Sequence, residues 1–216
     1  KIYISADIEG TCGIVHWDET QLENNLSTYN KDQMTKEVNA ACLGVNDLKK
    51  SDILIKDAHD SARNINPMNL PENVEILRGW TKDPHVMMGG IDKSFDASLF
   101  IGYHSPATFN GNPLSHTLDT QFDYIKINDD IASEFTINAY TSAYYNVPVP
   151  FLSGDEMLCE HAKKLNPNIV TVPVSKGIGN ASISIHPTLA VKNIRLGVKS
   201  ALSGDLSRHL IKLPQS

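Results

Sequence analysis

The chain opens on an apolar run that ends in two acids. In KIYISADIEG, Asp7 and Glu9 follow the run Ile2 to Ala6, and Gly10 turns the backbone behind them. Residues two apart in a strand point to the same face, so this spacing predicts two neighbouring carboxylates where the chain leaves a sheet. Burying them together costs several kcal/mol unless a shared proton, an Arg or Lys, or a metal ion offsets the repulsion. A fold that starts this way must deliver one of these to the end of its first strand.

Four further runs read as strands: Ile53 to Lys56, Val74 to Leu77, Ser98 to Gly102 and Val147 to Leu152. Between the first two strands, Met34, Val38, Ala41, Val45 and Leu48 recur at helical spacing, which predicts a crossover helix over Met34 to Leu48 and hence a βαβ unit. Tyr124 to Ile127, the turn Asn128-Asp129-Asp130 and Ile131 to Ala132 read as a small hairpin. Ser133 then suits a helix N-cap, with Glu134 in the first turn of a helix running to about Tyr145. Further helices are predicted at Asp155 to Leu165 and Pro187 to Leu202. This alternation is that of a single α/β domain over residues 1–216, with a largely parallel central sheet flanked by helices and a small β-hairpin insertion.

Composition removes several classes of function. With 216 residues, 41% of them hydrophobic, the chain can bury one sizeable core. A net charge of -6 without a basic stripe argues against nucleic acid or an anionic membrane as partner. No uncharged run approaches the ~20 residues of a membrane span, and the first strand leaves no room for a leader, so the cytoplasm is the expected location. The cysteines Cys12, Cys42 and Cys159 are odd in number and widely spaced, which predicts reduced thiols, with Cys12 a small apolar loop residue rather than a nucleophile.

Open α/β sheets bind ligands at the carboxyl ends of their strands. Here the first strand ends in Asp7 and Glu9, the second runs through IKDAHD to His59, and the fourth through LFIGYH to His104. Neighbouring parallel strands would gather these side chains at one edge as a nitrogen and oxygen site without sulfur. Spacing alone leaves a structural and a ligating role equally open for each histidine.

The segments SADIEGTCGI, KDAHD, FIGYHS, SHT, INDDIASEFTINAY and YYNVPVPFLSGDE, in that order, resemble the bacterial zinc-dependent D-aminopeptidase family associated with dipeptide-transport operons. The resemblance runs from Ile2 to about Leu202. It implies a two-zinc site with ligands Asp7, Glu9, His59, His104 and Glu134, and a catalytic histidine at His116 in NPLSHT. It implies short peptides with N-terminal D-residues as substrates, and a decamer of two stacked pentamers. Without it, Glu134 would read only as an acid stabilising a helix N-terminus.

Charge supports the implied site: three carboxylates, two neutral imidazoles, two divalent cations and one hydroxide leave no net charge to bury. Two cations about 3.5 to 4 Å apart need a shared ligand, a role suited to the two oxygens of Asp7, with Glu9 serving one ion. A hydroxide held between them would attack the scissile carbonyl, and His116 would donate a hydrogen bond to the oxyanion or a proton to the leaving amine. The same ligand types also serve phosphoesterases and amidohydrolases, and a peptide-binding module without turnover is a third reading.

The remaining polar residues have plainer readings. Asp57 and Asp60 are solvated loop acids or partners that orient His59; His16, His85, His161, His186 and His209 are surface residues; Gly177-Ile178-Gly179 is a turn. Two departures from the family pattern stand out. Asn180 occupies a position where the family commonly has Arg, and relatives usually continue past Ser216 with a further segment.

Overall fold

The computed structural model describes residues 1–21 and 28–214. Seven strands form one sheet in the order β3-β2-β1-β4-β7-β8-β9, with β1 Ile2–Ala6, β2 Ile53–Asp57, β3 Val74–Leu77, β4 Ala97–Tyr103, β7 Phe151–Asp155, β8 Val170–Ile178 and β9 Ala181–Ser184. All neighbours are parallel except β9, which closes the edge antiparallel to β8. A separate hairpin joins β5 (Lys126–Ile127) to β6 (Asp130–Ile131), with Asn128 at φ 54° in its turn.

Helices cover both faces of this sheet. Alternation along β1 decides which side chain serves which layer. Ile2, Ile4 and Ala6 pack with α1 (Thr28–Asn46) and α4 (Pro187–Leu202), through Met34, Val38, Val45, Ile194 and Val198. Tyr3 points the other way and joins Phe100, Tyr103, Phe135 and Leu158 under α2 (Glu134–Tyr144) and α3 (Glu156–Leu165). No helix among the described residues is long and apolar enough to cross a membrane.

Most predicted elements are present, and the differences have local causes. The helix predicted from Met34 is present from Thr28, because its early turns bury the polar Asn30 and Gln33 and so carry no apolar period. It ends at Asn46 rather than Leu48. The strand predicted at Val147 begins at Phe151. Pro148 and Pro150 have no N–H to give a ladder, although their carbonyls accept from Ser98 and Val170. The hairpin strands are shorter than predicted, and Tyr124 and Ala132 lie outside them. Strands β8 and β9 went unpredicted. Pro173 interrupts the alternation of β8, and it is accommodated beside the register shift of β7 at Gly154, before pairing with β9 begins at Ser175. Gly177 and Ile178 accordingly belong to β8, and only Gly179 and Asn180 turn the chain.

The order of the strands positions the site. From β1 the chain proceeds to β2 on one side, while β4 pairs on the other, so strand order reverses at β1. The crevice outside the carboxyl ends of β2, β1 and β4 is the switch point at which such sheets take ligands.

Candidate metal centre

The acids at the end of β1 do reach this crevice together, but a turn carries them there rather than strand alternation. Strand β1 ends at Ala6, and residues 8–13 form a succession of bends and turns, with Asp7 and Glu9 each 2% exposed. The turn lies hard against β4. The N–H of Gly10 donates to the carbonyl of Gly102 at 2.8 Å, and a Cβ on Gly10 would stand only 1.7 Å from the Tyr103 carbonyl oxygen. Gly102 itself has φ 72°, with Asp7 carbonyl oxygen 2.3 Å from where its Cβ would be.

Each histidine follows its strand by one or two residues. His59 lies beyond β2, where the Ala58 N–H continues the ladder by donating to Ala6 carbonyl at 2.9 Å. His104 directly follows β4, and its Nδ1 donates to Ser105 carbonyl at 2.9 Å, which turns Nε2 toward the acids. Glu134 comes from the first turn of α2, capped by Ser133 as predicted, and its Oε1 accepts the Leu118 N–H at 2.8 Å. His116 donates from Nδ1 to Leu114 carbonyl at 2.9 Å and stacks on His104.

All six predicted site residues therefore meet in one place, in two groups of three: Asp7, Glu9 and His59, then His104, His116 and Glu134. Asp7 addresses both. Its Oδ1 lies 3.4 Å from His59 Nδ1, and its Oδ2 lies 3.5 Å from His104 Nε2. Glu9 Oε2 is 3.0 Å from His59 Nδ1, and Glu134 is 3.5 Å from both His104 Nε2 and His116 Nε2. A cavity of about 560 Å³ is lined by five of the six, and His104 is buried.

The donor set fits zinc. Asp7 Oδ2 and His104 Nε2, 3.5 Å apart, are both buried without a hydrogen-bond partner, which a folded protein rarely tolerates in one cluster. Donor atoms held at ~2.0–2.2 Å by one tetrahedral zinc stand roughly 3.3–3.6 Å from one another, and His104 Nε2 has this spacing to Asp7 Oδ2 and to Glu134 Oε2, at 3.5 Å each. Nitrogen and oxygen donors without sulfur suit zinc and equally manganese or cobalt.

Electrostatics show what the cluster demands. Burial, then the neighbouring charge of Glu9, drives the Asp7 carboxyl well above its usual range. Against the cost of burial, Glu9 and Asp7 raise His59 well above its usual value, while Glu134 and Asp7 raise His104 to about 10. A cluster that draws its imidazoles toward protonation calls for positive charge, which divalent cations would supply in place of those protons. His116 is different, since burial and the adjacent His104 push it down.

Several further residues hold this geometry through contacts that sequence spacing does not show. Asp155, the last residue of β7 and N-cap of α3, accepts from Ser105 N–H and Oγ at 2.6 Å each and from Leu158 N–H at 2.9 Å, which fixes the turn after His104. Asp57 does the same for His59. It is fully buried rather than solvated, and it does not touch the imidazole. It accepts from Asn64 and Ile65 N–H at 2.6 and 2.8 Å, and Asn64 Nδ2 donates to His59 carbonyl at 2.8 Å. Asn112 donates to Glu9 carbonyl at 2.8 Å and ties the His116 loop to the acids. An Asp at a strand end is the sequence signal that Asp57 and Asp155 share, without indication of which loop each serves; Asn112 carries none.

Of the histidines predicted at the surface, His16 and His186 are exposed helix caps, while His85 and His161 are half-buried. His209 departs from the prediction: it is fully buried, where its backbone carbonyl accepts from Val149 at 3.0 Å. Asp60 is exposed, as read. The three cysteines are buried and unbridged, and burial raises the Cys12 thiol to about 12, which suits a structural residue.

Comparison with known proteins adds three observations. The profile of the D-aminopeptidase family matches residues 1–216. The chain is 30% identical over 185 residues to a D-aminopeptidase of Bacillus subtilis (strain 168), an alignment covering 85% of this chain and 66% of that protein, so the chain spans just under two thirds of the relative's length. In structure it is similar to the Zn-dependent D-aminopeptidase DppA from Bacillus subtilis, described as a self-compartmentalizing protease, with TM-score 0.88 and 27% identity over 93% of this chain and 73% of that one.

Proposed function

Because the chain belongs to the D-aminopeptidase family, we propose that it is a zinc-dependent aminopeptidase that removes the N-terminal residue, a D-residue, from short peptides. The observation that carries this reading is the position of Asp7, whose two oxygens face the two halves of a buried cluster in which Asp7 Oδ2 and His104 Nε2 have no hydrogen-bond partner. Asp7, Glu9 and His59 would hold one ion, and Asp7, His104 and Glu134 the other. Such ions, when bound, would lower the pKa of water toward neutrality and polarise the scissile carbonyl.

The chain's own residues then have defined tasks. Asp7 and Glu9 set the negative charge that retains the cations, and the backbone bonds behind His59 and His104 keep their rings in place. His116 keeps its proton on Nδ1, bound to Leu114 carbonyl, so Nε2 is free to take a proton at the reacting centre and pass it to the leaving amine. The D-residue preference, the second ion and a closed homodecamer rest on family resemblance. The relative's description as self-compartmentalizing supports the assembly. Exposed apolar side chains at Tyr144, Ile183 and Leu196 support it too, since they are surfaces a partner copy could cover.

The test is an assay of the zinc-loaded protein on dipeptides and aminoacyl p-nitroanilides of both chiralities, beside a phosphate ester. The reading predicts release of N-terminal residues, faster from D-substrates, and loss of both metal and turnover in Asp7→Ala. Turnover of the ester alone would favour a phosphoesterase, and solution mass would report on the decamer.

A further inference from the structure

The cavity over the metal centre continues past His59 onto Asp60, Trp80, Val86 and Met87. Asp60 directly follows His59, in the left-handed region at φ 43°, and its carbonyl accepts the indole N–H of Trp80 at 2.7 Å. Trp80 is held from its face as well. Lys56 Nζ lies 4.3 Å from the ring centroid and is itself fixed by donating to Asp57 and Gly79 carbonyls at 2.6 and 2.8 Å. Even so, 40% of Trp80 is exposed, an unusual degree for an indole so firmly anchored. On the side of His116 stands Trp17, edge-on to that imidazole at 5.2 Å.

An aminopeptidase needs one anchor for the substrate's ammonium group and one for the side chain beside the scissile bond. Asp119 also lines the cavity, but its Oδ1 already accepts the Gln121 N–H at 2.9 Å. Asp60 and Trp80 form a rigid unit one residue from the metal cluster. Resting on the aminopeptidase reading, we propose that this unit is the subsite for the N-terminal residue: Asp60 binds the ammonium group, Trp80 with Val86 and Met87 receives the side chain, and the enzyme selects aromatic or large aliphatic residues over alanine. A methyl group would leave that apolar wall wet, whereas a benzyl or isobutyl group covers it.

The test compares two dipeptides, Phe-Ala and Ala-Ala, each with its N-terminal residue in the chirality that the zinc-loaded enzyme turns over. The wild type should show kcat/KM about tenfold higher for the phenylalanyl peptide. Trp80→Ala should collapse that ratio by about tenfold, chiefly through KM, with zinc content unchanged, and Trp80→Phe should restore most of it. Asp60→Asn should raise KM for both peptides with little change in kcat. A wild type that prefers the alanyl peptide or does not discriminate, or a Trp80→Ala protein with its ratio intact, overturns the subsite. Failure to turn over any peptide would instead overturn the aminopeptidase reading, and the subsite with it.

Discussion

The imidazoles of His104 and His116 lie stacked, with centroids 4.4 Å apart and planes 6° from parallel, yet they do opposite things with protons. Against the cost of burial, Glu134 and Asp7 raise His104 to about 10, whereas burial and the charge of His104 itself push His116 down. Both rings turn Nε2 to the acids, but His104 stands 3.5 Å from Asp7 as well as Glu134, whereas His116 meets Glu134 alone, which suits the first to ligation and the second to proton transfer.

His116→Ala should keep its zinc and lose most of its turnover. Loss of a general acid or base costs about 10²–10⁴-fold in kcat. Elemental analysis beside steady-state kinetics checks this, and an unchanged kcat would remove His116 from the mechanism.

Asp155→Ala leaves Ser105 N–H, Ser105 Oγ and Leu158 N–H without their buried acceptor. Each stranded donor costs ~1–3 kcal/mol at most, and removing an outer partner of a metal ligand typically weakens metal binding 10–100-fold. Zinc competition titration should show the weakening, with the thermal midpoint of the metal-free protein reduced as well. Zinc affinity equal to wild type would confine Asp155 to capping α3.

Gly10→Ala would force a Cβ to 1.7 Å from the Tyr103 carbonyl, a clash that only backbone displacement between Glu9 and His104 can relieve. We expect a loss of ~1–3 kcal/mol or more together with reduced zinc occupancy. Denaturant unfolding with metal analysis checks both, and a stable, fully loaded variant would contradict this packing.

Glu37 gives a pH prediction away from the metal centre. It is fully buried in α1, where Oε1 accepts Cys12 N–H and Gln33 Nε2 at 3.0 Å each, but burial still raises its pKa from 4.5 to about 7. Between these values the folded protein binds more protons at Glu37 than the unfolded chain does. Its stability contribution is therefore complete below the unfolded value and falls as pH rises through about 7, by ~3 kcal/mol in all. Glu37→Gln keeps the accepting oxygen without the charge. It should match wild type near about pH 4 and exceed it by ~1–3 kcal/mol near about pH 8 in paired denaturant titrations. Equal stability at both would contradict the raised value.

How much of this was legible in the sequence depended on whether a signal was local. Strand runs rich in Ile, Val and Phe, the helical period of α1 and the Ser133 cap are local, and they located most elements. Polar residues at three strand ends pointed to the crevice before any pairing was known. Pro148, Pro150 and Pro173 obscured strand limits, because their effect depends on which neighbour needs an N–H. The Asp7 and Glu9 pair was read for the right place by the wrong geometry, since the contact of Gly10 with Gly102 that makes the turn is between segments far apart in the chain. Asp57 was open to two readings; it is buried rather than solvated, and it steadies the His59 loop through Asn64 and Ile65, contacts visible only once folded. Glu134 came from family resemblance alone.

The central claim is a pair of ions sharing Asp7, and the direct measurement is anomalous diffraction at the zinc edge from crystals of the zinc-loaded protein. The account predicts two peaks about 3.5 to 4 Å apart, one among Asp7, Glu9 and His59 and the other among Asp7, His104 and Glu134, with one Asp7 oxygen on each. A single peak, or two that do not share Asp7, would contradict it.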